Sequence, residues 1–220
     1  MANMKRREML AGFAAARQQR GVVAAADNDK ASRDATQARY FPNFELTTHE
    51  GKKVRFYDDL LKDKIVVINM MYADCEGVCP GITANLVKVQ KALENRIGRD
   101  IFMYSITLKP EQDSPRALKE YAKMHGVKPG WSFLTGDPKD IETLRRKLGF
   151  TNPDKELDRD KSQHIGMVRY GNEALTRWAA CPGMANASWI VESVLFMDWP
   201  KTSNPDGQNA ARSGEKGAKK

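Results

Sequence analysis

Two cysteines four positions apart carry the most reactive chemistry in the chain, in Asp74-Cys75-Glu76-Gly77-Val78-Cys79-Pro80. As thiolates, a close pair of this kind prefers soft cations, chiefly copper(I), with zinc as the second choice. A closed structural zinc site normally takes four protein ligands. No second cysteine pair exists to complete one; the third and last cysteine, Cys181, stands alone. The same two thiols could instead serve as attacking and resolving groups in disulfide exchange. The thioredoxin-type motif has two residues between its cysteines; here there are three, which counts against that use. Two inert core cysteines are the plain alternative, but Glu76 and Gly77 suit an open loop better than a core.

The other candidates are weaker. The histidines are His49, His125 and His164. The first falls in a turn and the second at a helix end, both ordinary surface positions, and a lone histidine before a strand, as His164 is, is often just a surface or hydrogen-bonded residue. Cys181 has three readings: a resolving thiol, a third soft ligand, or a small buried residue, the last being the default. Of Met70 and Met71 one should face the core, because neighbours on a strand point to opposite sides. Asp74 and Glu76 would raise the thiol pKa values by like-charge repulsion or simply be solvated. Asp113 reads as part of a helix start. No glycine-rich phosphate loop and no Ser-His-Asp order is present.

The cysteines sit between two recognisable elements. Ile65 to Tyr72 is a nearly continuous apolar, β-branched run, the pattern of a central strand covered on both faces. After it Ile82, Leu86, Val89 and Leu93 mark one face of a helix, with Pro80 near its start. The pair therefore lies at the carboxyl end of a strand and the mouth of a helix, where ligands bind in open α/β sheets. Unpaired amides and the helix dipole there should lower both thiol pKa values.

Further strands are expected at Phe44 to Thr48, Lys53 to Phe56, Ile101 to Leu108, Trp131 to Thr135 and Gly166 to Tyr170. Gly171-Asn172 reads as a turn leading to a hairpin partner at Leu175 to Ala179. Helices are expected after Ser114-Pro115, with Leu118, Tyr121 and Ala122 inward, and after Asp137-Pro138, with Ile141, Leu144 and Leu148 inward. Ile190 to Phe196 completes the set. Alternating strands and helices make an α/β domain.

The chain of 220 residues holds one domain with a core and tails, and its net charge of +8 is unevenly spread. Residues 1–27 and residues 201–220 each carry five basic residues against two acidic ones, leaving +2 for residues 28–200. A nucleic-acid reader keeps its charge on the folded domain, so nucleic acid is not an expected partner. Residues 1–40 read as a basic leader and linker, 41–199 as the domain, and 200–220 as a disordered basic tail. No segment has the ~18 continuous apolar residues of a membrane span. Lys5-Arg6-Arg7, the apolar stretch Met9 to Ala16 and Ala24-Ala25-Ala26 form an export-signal pattern, with a loose twin-arginine match at Arg6-Arg7. Arg17 to Arg20 interrupts it. The expectation is an exported protein, periplasmic or membrane-associated.

Taken together, several of these segments resemble the Sco/SenC family of copper-binding proteins. They are the strand Ile65 to Tyr72, Cys75-x-x-x-Cys79-Pro80, Tyr104-Ser105-Ile106-Thr107, Pro110-Glu111-Gln112-Asp113-Ser114, Phe133-Leu134-Thr135-Gly136 and His164 before a strand. The resemblance spans about residues 41–171. It implies an α/β, thioredoxin-like fold with a central mixed sheet flanked by helices, to which the first two strands add an N-terminal β-hairpin. It also implies that Cys75 and Cys79 bind copper(I) and that His164 completes a three-ligand site, most useful for copper(II). Family members deliver copper to the copper centre of cytochrome oxidase or reduce its thiols. The implied partners are thus the copper-bearing oxidase subunit or another copper acceptor, and a thiol reductant. A chaperone is favoured over an enzyme. Many members carry Asp just before the Pro-Glu pair, where this chain has Lys109. The longer ending after Tyr170 points to a divergent subgroup.

Overall fold

The computed structural model describes residues 36–37, 39–161 and 164–198. The leader and basic tail lie outside the described residues. Seven strands form one mixed sheet: β1 (Glu45–Thr48), β2 (Lys53–Arg55), β3 (Ile65–Met71), β4 (Ile101–Thr107), β5 (Trp131–Gly136), β6 (Met167–Asn172) and β7 (Arg177–Pro182). Their order is β2-β1-β5-β4-β3-β6-β7. The helices are α1 (Cys79–Ala92), α2 (Pro115–Met124), α3 (Pro138–Lys147), α4 (Lys155–Arg159) and α5 (Ala187–Phe196).

The β-branched run forms β3, and every one of its residues is buried. It pairs parallel with β4 and antiparallel with β6, so both of its edges are hydrogen-bonded. Both Met70 and Met71 are buried, because both faces of the strand are covered. The buried amide of Asn69 is satisfied: Ser105 Oγ donates to its oxygen at 2.7 Å, and Trp131 Nε1 donates to Ser105 at 2.9 Å. The N-terminal hairpin forms as expected, β1 pairing with β2 on one side and with β5 on the other.

The helices begin where their capping residues stand. Ser114 Oγ accepts from the Ala117 N–H, and Asp137 accepts from the Lys139 N–H. The expected inward residues are buried on both helices, and Ile82, Leu86 and Val89 are buried on α1. Helix α1 also packs against α5.

Two expectations need correction, and one helix goes unannounced by the sequence. The second strand ends at Arg55; Phe56 opens a π-helical turn, Phe56–Leu61, that buries Phe56, Tyr57, Leu60 and Leu61. Gly171-Asn172 is not a turn but the end of β6, and β7 begins at Arg177. The chain reverses instead over residues 173–176, where Thr176 takes φ 53° and its N–H donates to the Glu173 carbonyl. Gly171 belongs in the strand because a Cβ there would lie 2.5 Å from the Arg177 carbonyl oxygen and from the Trp178 ring. Finally, α4 has no apolar stripe: none of its residues is buried, so no hydrophobic period announces it.

Candidate metal centre

Strand β3 ends at Met71, and residues 72–78 lead from it into α1, whose first residue is Cys79 with Pro80 beside it. Proline costs nothing there, since the first amides of a helix have no partner within it. The loop is held by Asp113. Both of its carboxylate oxygens accept from the Ala73 N–H, at 3.2 and 3.1 Å, and the Thr107 hydroxyl also donates to it. Asp113 is thus more than a helix start; it is a buried brace between the loop and the end of β4. Burial pushes its pKa up, against the Thr107 and Ala73 hydrogen bonds and the charge of Lys109.

The structure brings Cys75, Cys79 and His164 together. One donor atom from each lies within 4.8 Å of the others. His164 Nε2 is 3.1 Å from Cys79 Sγ, while its Nδ1 is buried and has no partner among the described residues. Burial, then the nearby positive charges of Arg145 and Lys161, lowers the His164 pKa, which favours the neutral imidazole that ligates metals. Two sulfurs and one imidazole are a donor set suited to a soft cation.

The two thiols are not equivalent. Burial works against ionisation of Cys75, but hydrogen bonds from the Cys79 thiol, from the Cys79 and Gly77 amides and from the Tyr72 hydroxyl outweigh it and lower its pKa. Burial, and the hydrogen bond it gives to Cys75, push Cys79 up to about 12. The expected lowering at the helix mouth therefore holds for Cys75 and fails for Cys79, which is 1% exposed.

The remaining candidates lie apart from this cluster. Cys181 is buried on β7 beside Val168, and burial raises its thiol pKa to about 11. His49 is not an ordinary surface residue: its Nδ1 accepts from the Phe133 N–H at 3.1 Å, tying the β1 turn to β5. His125 caps α2 and its ring lies against Tyr121.

Two residues of the surroundings escaped sequence reasoning. Tyr72 reads only as the end of a strand, yet its ring meets His164 edge-on with centroids 6.1 Å apart, and its hydroxyl is one of the causes that lower the Cys75 pKa. Arg145 reads as a charged helix residue but is buried, bonding Glu142, Asp158 and the Phe150 carbonyl, and its charge helps lower the His164 pKa. The sequence offered only the aromatic three residues before Cys75 as a sign of the first, and nothing for the second.

A family model described as SCO1/SenC matches residues 32–172. The chain belongs to the SCO1/SenC family. A SCO1 protein homolog of Bacillus subtilis is 31% identical over 94 residues, covering 42% of this chain and 47% of that protein. The chain spans about half the length of these curated relatives. Among solved structures, BsSco, described as a member of the Sco family of cytochrome c oxidase assembly proteins, has a TM-score of 0.59 at 25% identity, covering 72% of this chain and 92% of that one. Yeast Sco1 with copper bound has a TM-score of 0.56 at 21% identity, over 76% and 95% of the two chains. The thioredoxin-like fold is shared with these Sco proteins. The family match ends at Asn172, the last residue of β6, so β7 and α5 lie beyond it.

Proposed function

We propose that this protein binds one copper ion through Cys75, Cys79 and His164 and passes it to an acceptor protein by ligand exchange. The observation that carries the reading is the convergence of two sulfurs and one imidazole within 4.8 Å, although His164 lies far from the cysteines in sequence. Soft sulfurs hold copper(I), and the imidazole adds the harder nitrogen that copper(II) favours. Copper bound to yeast Sco1 supports the choice of metal. The copper-bearing subunit of cytochrome oxidase is the acceptor proposed first, and the description of BsSco supports it. Export is part of the proposal and rests on the basic and apolar leader; an intact Met1 in the periplasmic fraction would count against its cleavage.

The test is titration of the reduced protein with copper(I) and copper(II) against competing ligands, with Cys75→Ser, Cys79→Ser, Cys181→Ser and His164→Ala side by side. Retention of one equivalent by the parent protein and by Cys181→Ser, with loss in the other two cysteine variants, is expected. His164→Ala should weaken copper(II) more than copper(I). Failure of the parent to hold copper(I) against a thiol buffer would sink the proposal.

One observation favours a second reading, thiol–disulfide exchange with a partner. Cys75 is the more acidic thiol and Cys79 a buried neighbour hydrogen-bonded to it, the division of labour of an attacking and a resolving thiol. Disulfide reductase activity that survives His164→Ala, in protein that ignores copper, would select this reading.

A further inference from the structure

Lys109 is fixed beside the metal centre by its own backbone. Its N–H donates to the Thr107 hydroxyl at 2.9 Å, and its carbonyl accepts from the Gln112 and Asp113 N–H groups at 3.0 and 2.9 Å. From that turn the side chain reaches Tyr72, three residues before Cys75: Lys109 Nζ lies 3.8 Å from the centre of the ring, close enough for a cation–π contact. The same ring meets the His164 imidazole edge-on, with centroids 6.1 Å apart. The ammonium therefore stands no farther from the imidazole than these two distances laid end to end, about 10 Å. Tyr72 is 4% exposed, so what joins the charge to the site is protein rather than water.

Two thiolates and a neutral imidazole around copper(I) carry one net negative charge; around copper(II) they carry none. A fixed positive charge nearby favours the first form over the second. The protonation of the empty thiols does not enter, because the empty protein is common to both. At a separation of about 10 Å and an effective dielectric of about 20, one unit of charge weights the two forms on the order of tenfold. Lys109 is partly exposed, and the Asp113 carboxylate belongs to the same turn, so the field is trimmed to about fivefold.

We propose that Lys109 is a specificity-determining residue of this centre, its ammonium weighting the bound ion toward copper(I). The inference rests on the copper reading above and adds to it the oxidation state that the surroundings prefer. The lysine touches neither sulfur nor imidazole; it acts by charge, and Tyr72 holds that charge in place.

The experiment measures the copper(I) and copper(II) dissociation constants of the reduced protein without oxygen, each against a competing ligand, and reads their ratio. Lys109→Met keeps the length of the side chain and loses its charge. It is expected to lower the preference for copper(I) about fivefold. Lys109→Glu reverses the charge and should lower it by the square of that factor, about 25-fold. Lys109→Arg should keep the parent ratio. Raising the salt from about 20 mM to about 500 mM should shrink the Lys109→Met effect. The hydrogen bonds of residue 109 are made by its backbone, so the variants should fold, which an unfolding curve of each metal-free protein checks; Lys109→Gln, also neutral, repeats the measurement should methionine disturb the turn. A ratio within twofold of the parent in both neutral variants overturns the proposal. So does an equal fall in Lys109→Arg and Lys109→Met, since packing on the ring rather than charge would then be the cause. A parent that holds copper in neither state overturns the copper reading and this inference with it; a parent that holds copper while the ratio stays unmoved overturns this inference alone.

Discussion

At the scale of single residues, the division between the two thiols has a direct consequence. Cys75 ionises more readily than a free cysteine, while Cys79 is held neutral to about pH 12. A small alkylating reagent under limiting conditions should therefore label Cys75 first, the rate rising with pH as its thiolate forms. Cys79 should stay largely unlabelled until strongly alkaline pH. Peptide mass spectrometry reads the order directly, and faster labelling of Cys79 at neutral pH would refute it. The cysteine pair was legible in the sequence because its chemistry is local: two sulfurs four residues apart, between a β-branched run and a helical period. His164 was not legible in that way. Nothing around it distinguishes it from His49 or His125, and it entered only through resemblance to a family. Its approach to Cys79 depends on β6 lying antiparallel beside β3, a pairing that no short stretch encodes.

At the scale of elements, the support of the site can be tested away from the sulfurs. Arg145, with its side chain 4% exposed, bonds Glu142 and Asp158, and Lys161 also bonds Glu142. The Arg145 guanidinium is the main cause that holds the Glu142 carboxyl at about 2 and keeps Asp158 well below the usual range. Carboxylates with depressed folded-state pKa values stabilise the fold above their ordinary values and lose that contribution as pH falls through the folded ones. Stability should thus decline between about pH 4.5 and pH 2 in the parent protein. Arg145→Met should cost about 2 kcal/mol at pH 7 and flatten that decline. Urea unfolding at several pH values measures both. The hairpin of β6 and β7 offers a second test. Gly171→Ala drives a methyl group against a backbone oxygen and the Trp178 ring, and should cost about 2 kcal/mol by the same measurement. The major strands and the capped helices could be read from the sequence because period and cap are written in adjacent residues. The true end of β6 could not, since Gly171 serves there as a gap for Trp178 rather than as a turn. Helix α4 was hidden for a related reason: its partner is the charge of Arg145, and charge has no period to read.

At the scale of the whole molecule, the cluster ties together parts of the chain that the sheet has already aligned. Copper that binds only the folded protein should stabilise it by about 2.7 kcal/mol when free metal stands at one hundred times its dissociation constant. A thermal or urea shift should accompany loading and be absent in Cys75→Ser. The placement of His164 has a topological consequence as well. A metal held by Cys75 and Cys79 alone closes a ring of a few residues, worth about 2 kcal/mol by chain entropy. One that also grips His164 bridges positions 85 residues apart and closes a ring enclosing α1, β4, α2, β5, α3 and α4. On the same chain-entropy scale that larger ring is worth about 4 to 5 kcal/mol. The histidine therefore changes the bound ion from a clip on one loop into a knot tying most of the fold to itself, and untying it leaves the sulfurs free to let go.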